Sequence, residues 1–104
     1  EEAGAFAVVL ECVPQALAEK ITKSIHIPTI GIGAGAGCDG QVLVYQDMLG
    51  MYSDMVPKFA KQYAQVGTQM KEAFAAYRKE VADGTFPAPE HTFKMDETIL
   101  DKLY

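Results

Sequence analysis

The chain has 104 residues, the size of one ordinary domain. Apolar residues make up 49% and charged residues 22%, which excludes a disordered or fibrous chain. Nine Lys and Arg stand against 14 Asp and Glu, and the formal net charge of −5 disfavours nucleic acid or an anionic membrane as partner. No apolar run approaches the roughly 18 residues of a membrane span. Cys12 and Cys38 form no CxxC pair and are too few for a disulfide framework or a zinc site, so free thiols of a cytosolic protein are expected.

The sequence opens on EEAGAFAVVLE, which reads as the tail of a helix running into a strand, and as a cut through something larger. Residues 5–11 (AFAVVLE) are an apolar run without alternation, the pattern of a strand buried on both faces. Pro14 suits a first helical turn. Leu17, Ile21 and Ile25 then make one face of an amphipathic helix of about three turns, stopped before Pro28. Residues 28–35 (PTIGIGAG) read as a second buried strand that dissolves into glycines, completing a βαβ unit. Residues 42–45 (VLVY) are assigned to a third strand. A parallel crossover takes about a dozen residues, so either this one is a stripped-down loop or residues 42–49 are partly helical. From Pro57 the pattern is helical, with Phe59, Ala60, Tyr63 and Ala64 on one stripe. A break follows at Gly67-Thr68, and a second stripe of Met70, Phe74, Tyr77 and Val81 closes at Gly84. Residues 86–93 are extended and proline-stiffened, and Asp96 caps a last short helix.

Two or three parallel strands and a few helices do not close a sheet. The chain is therefore expected to be part of a (β/α) barrel, which takes about 250 residues, and roughly its last two-fifths. Residues 1–50 would hold the last strands and their connecting helix. Residues 51–104 would form a C-terminal helical segment.

Glu11 carries the most chemical information. It ends an apolar strand, on the face of a barrel where active sites lie. Flanked by Leu10, Cys12 and Val13 it would be partly desolvated and a better proton acceptor; the plainer alternative is a structural strand-end carboxylate. Residues 31–36 (GIGAGA) fit GxGxxA, but no helix pattern follows, so close backbone approach is favoured over a dinucleotide site. His26 and His91 read as structural, the latter with an interface or a lid as its alternative. Met48, Met51 and Met55 read as packing. Asp39, Asp47 and Asp54 are scattered and make no metal site by themselves.

The runs EEAGAFAVVLECVP, IPTIGIGAGAGCDGQVLVYQDMLG, PKFAKQYA and FPAPEHTFKMDETIL resemble the ketopantoate hydroxymethyltransferase (3-methyl-2-oxobutanoate hydroxymethyltransferase) family. The resemblance spans essentially the whole chain. It implies an α/β fold: the C-terminal portion of a (β/α)8 TIM barrel of the phosphoenolpyruvate/pyruvate-domain superfamily. It implies hydroxymethyl transfer from 5,10-methylenetetrahydrofolate to 3-methyl-2-oxobutanoate, giving ketopantoate for pantothenate and coenzyme A synthesis. It also implies magnesium with ligands outside this chain, a cytoplasmic homo-oligomer, commonly a decamer, and C-terminal helices in subunit contacts. The catalytic proton acceptor corresponds to Glu11, and two substrate-facing apolar positions correspond to Ile32 and Val44. No metal ligand carries over to a residue here. Activity of this chain by itself is not expected. Two further readings stand beside this one: another magnesium-dependent lyase or mutase of the superfamily, and a non-catalytic half-barrel binding or assembly module.

Overall fold

The computed structural model describes residues 1–52 and 54–103. The parallel βαβ unit is present. Strand β1 (Val8–Glu11) leads into helix α1 (Gln15–Ser24) and then strand β2 (Thr29–Ile32). Pro14 precedes the helix as its N-cap rather than occupying its first turn. The two strands pair in parallel register, Val8 beside Thr29 and Glu11 beside Ile32.

The small core lies between this sheet and α1. Leu10, Ala18 and Ala34 are its buried members, with Val8, Val13, Ile21 and Cys38 packed against them. Ala18 is fully buried, whereas Leu17, expected on the packing stripe, is half exposed. The alternation along β1 explains a second difference. Leu10 faces α1 and is buried, but Val9 is 61% exposed. The strand is thus covered on one face by this chain, not on two; successive side chains point to opposite faces, and α1 covers only one.

The third strand falls earlier than expected. β3 is Gly40–Gln41, parallel to β2, with Gly40 beside Ile30 and Gln41 beside Gly31. Pairing ends where the Val42 N–H donates to the Gly31 carbonyl at 3.0 Å, and Tyr45–Met48 forms a single helical turn, α2. The crossover from β2 to β3 is indeed a stripped-down loop. It can be that short because a glycine-rich segment lies flat along α1: a Cβ on Gly35 would meet the Gln15 side chain, and one on Gly37 would meet Glu19.

No helix forms over the described residues 57–64. The Ala60 N–H closes one turn on the Pro57 carbonyl at 2.9 Å, and the amides that follow bond to residues 48–50. Tyr63 N–H donates to the Met48 carbonyl at 2.8 Å, Val66 N–H to Leu49 at 2.9 Å and Gly67 N–H to Gly50 at 3.0 Å. The long helix α3 (Val66–Asp83) begins there and runs through Gly67 and Thr68, where a break was expected. Gly67 serves close approach instead: a Cβ would stand 2.7 Å from the Met51 carbonyl oxygen.

The chain divides into two compact units at Gln69 and Met70. In the second, α3 ends at Gly84 with φ +74, as expected. Phe86 then folds back between Tyr77 and His91, with ring centroids 5.5 and 5.1 Å away. Asp96 caps a terminal 3-10 segment (Glu97–Lys102), its carboxylate accepting from the Thr98 N–H at 3.0 Å.

Candidate active site

Glu11 and Ile32 come together at the C-terminal end of the parallel pair. They are register partners on adjacent strands, on the face opposite the Leu10 side that packs on α1. Ile32 is buried at 8% exposure, while Glu11 is exposed. The partial burial expected at Glu11 is therefore not seen among the described residues, and Val9 on the same face of β1 is exposed as well. Val44 sits further along, at the N-cap of α2, and is half exposed.

The backbone changes character immediately after both strands. Cys12 has φ +54, the left-handed region that a residue with a Cβ enters only when its surroundings hold it there. Its N–H donates to the Ile32 carbonyl at 2.9 Å. Gly33, on the neighbouring strand, has φ +65 and lies under the Phe59 ring; a Cβ there would stand 2.7 Å from Phe59 Cδ1. Cys12 and Gly33 open a cleft of about 860 Å³, whose walls include Cys38, Gln41, Lys58 and Phe59. Glu11, Ile32 and Val44 are not among its lining residues. Both cysteines are free thiols.

One polar cluster joins the cleft wall to the sheet: exposed Asp39, which lines the cleft, docks on buried Thr29. Thr29 is fully buried, and Asp39 Oδ2 accepts from its N–H at 2.8 Å and from its hydroxyl at 3.2 Å. The Asp39 N–H donates back to Thr29 Oγ1 at 3.1 Å. The Thr22 and Thr29 hydroxyls meet at 2.8 Å, and Thr22 also donates to the Ala18 carbonyl at 2.9 Å. Among the described residues, no three His, Cys, Asp or Glu side chains group to hold a metal ion.

Neither histidine is among the residues lining the cleft. His91 Nδ1 accepts from the Ala88 N–H at 3.0 Å, and exposed His26 pairs with Glu1 at 3.3 Å. The glycine run opens no helix, so it lacks the arrangement a dinucleotide pyrophosphate needs. Sequence reasoning missed Cys12, Phe59 and the Thr29–Asp39 contact. A left-handed Cys carries no compositional signal, and an Asp among glycines reads first as turn chemistry.

A parallel βαβ unit with a carboxylate and a strained residue at its strand ends belongs to the class of α/β proteins whose sites lie beyond the carboxyl ends of a parallel sheet. Comparison with known proteins narrows the class. Residues 1–89 match the family model described as ketopantoate hydroxymethyltransferase. The chain belongs to that family, a TIM-barrel family of the phosphoenolpyruvate/pyruvate-domain superfamily. Proteins named 3-methyl-2-oxobutanoate hydroxymethyltransferase from Clostridium novyi and Enterococcus faecalis are 73% and 68% identical to it over 104 residues. One of the same name from Clostridium botulinum is 65% identical. Each match covers 100% of this chain and 38% of the relative.

Proposed function

We propose that the full-length protein containing this chain transfers a hydroxymethyl group from 5,10-methylenetetrahydrofolate to 3-methyl-2-oxobutanoate, forming ketopantoate for pantothenate and coenzyme A synthesis. The observation that carries this is the placement of Glu11, the last residue of β1, in register with Ile32 and directly before the strained Cys12. The relatives' shared name supports the same reaction.

Glu11 takes the proton from C3 of the keto acid, the weakly acidic carbon beside the ketone. The resulting enolate carbon bonds to the one-carbon unit of the folate. The two carbon–nitrogen bonds of that unit break, one water supplies the hydroxyl group, and the departing tetrahydrofolate nitrogens take up the C3 proton, returned by Glu11, and the proton released by water. Ile32 and Val44 contact the branched apolar end of the keto acid; Ile32 stands beside Glu11 on the neighbouring strand. The described residues do not fit a magnesium site, so no step here runs through the metal.

The wider setting is a cytoplasmic homo-oligomer, a decamer, with the α3 stripe in a subunit contact. No helix among the described residues is long and apolar enough to cross a membrane. The C-terminal placement expected from the sequence has no support in the matches, and nothing in the proposed chemistry depends on it.

The test is product formation by the purified full-length protein. Ketopantoate should appear by mass spectrometry only when both the keto acid and methylenetetrahydrofolate are supplied. A folded full-length protein that makes none from the pair would refute the assignment.

A further inference from the structure

We infer that Asp39 is a positioning residue: docked on Thr29, it fixes the β2–β3 crossover and with it one wall of the strand-end cleft. Gly33, Gly35, Ala36, Cys38 and Gln41 all lie on this crossover or just past its end, and all line the cleft. The segment runs in step with α1. Gly35 meets Gln15 and Gly37 meets Glu19, one helical turn on.

The segment is pinned at three points. At its start, Gly33 lies under the Phe59 ring. In its middle, Gln41 Nε2 donates to the Gly35 carbonyl at 2.8 Å. At its end, the Asp39 carboxylate takes the N–H and the hydroxyl of fully buried Thr29, while its own N–H returns a bond. The last point carries the most weight. Without the carboxylate, a buried amide loses its partner, and a buried polar group left unpaired costs more than an ordinary hydrogen bond contributes. The Thr22 hydroxyl extends the same contact into α1, so the crossover, β2 and α1 are held as one piece.

The catalytic consequence rests on the proposed transferase reading. Glu11 lies on β1, outside the crossover, whereas Ile32 directly precedes it and Val44 follows β3, so loosening the crossover disturbs the two proposed substrate contacts and leaves the proton acceptor in place. The experiment uses full-length enzyme, comparing Asp39→Ala with Asp39→Asn, whose amide oxygen still accepts both bonds, and Thr29→Val with Thr29→Ser, which keeps the hydroxyl. Asp39→Ala and Thr29→Val should raise KM for the keto acid about tenfold, with kcat within about twofold of wild type. Backbone amides of residues 33–41 should exchange hydrogen faster in both, with β1 and α1 protected as in wild type, and the Asn and Ser variants should restore both readouts. Wild-type exchange in Asp39→Ala, an unmoved KM, or a kcat falling together with Tm would overturn the inference. If the wild-type enzyme makes no ketopantoate, the transferase reading alone fails, and the exchange comparison still decides the positioning role.

Discussion

At the scale of single residues, the strand ends are where this sequence departs from easy backbone geometry. Cys12 sits in the left-handed region, and Gly33 occupies a place that leaves no room for a Cβ. Gly84 has a similar φ, but open space around its Cα. Comparing Ala at the two positions separates backbone strain from steric conflict. Gly84→Ala should cost about 1–2 kcal/mol from φ alone. Gly33→Ala should cost more, because the Phe59 ring must also move, and the urea midpoint of the full-length protein reads the difference. Equal losses would mean that the Phe59 contact does not constrain the strand end. Glu11 itself was legible in the sequence as the carboxylate closing an apolar run. Its exposure was not, because the cover that a strand's second face receives lies in residues distant in sequence.

At the scale of elements, the βαβ unit, the Gly84 helix end and the Asp96 cap followed from local pattern. The errors share one cause. Residues 57–64 carry a helical stripe, yet the amides of Tyr63, Val66 and Gly67 bond to the carbonyls of residues 48–50, a tertiary pairing that periodicity cannot reveal. Gly67 read as a breaker for the same reason: the carbonyls of Gly50, which accepts its N–H, and of Met51, which a Cβ would strike, lie outside the local pattern. The third strand was placed on the apolar residues 42–45, but the crossover brings Gly40 beside Ile30 first. Hydrogen bonds from Thr98 hold the Asp96 carboxyl below the ordinary aspartate range. A lowered folded pKa means that the cap contributes above the unfolded value and is lost as pH falls through the folded one. The 3-10 segment should therefore be intact at neutral pH and fray below about pH 4. Amide exchange at Thr98, followed by NMR against pH, checks this; protection unchanged down to pH 2 would count against the cap.

At the scale of the whole molecule, the chain leaves much apolar surface uncovered. Phe6 is 89% exposed and Phe74 65%, and on α3 Met70, Tyr77 and Val81 are exposed as well. With 38% of the relatives' length present, Val9 and Glu11 on one face of β1 remain exposed. The isolated 104 residues should bind a hydrophobic dye and melt without a cooperative transition; a sharp calorimetric transition would contradict this. In the full-length protein the α3 stripe should lie in a subunit contact. Phe74→Asp should shift the mass measured by light scattering towards smaller species, and a wild-type monomer at micromolar concentration would refute that placement.

The central claim is that the carboxylate ending β1 removes the C3 proton of 3-methyl-2-oxobutanoate, and exchange of a C3 deuteron into water, measured on full-length enzyme, tests it most directly. That step needs the base and not the one-carbon transfer. Glu11→Gln keeps the size of the side chain and removes its basicity, so exchange should slow by about 10²–10⁴-fold, equivalent to roughly 3–5 kcal/mol of barrier. A folded Glu11→Gln enzyme that exchanges the deuteron at the wild-type rate would show that Glu11 is a structural strand-end carboxylate and not the proton acceptor.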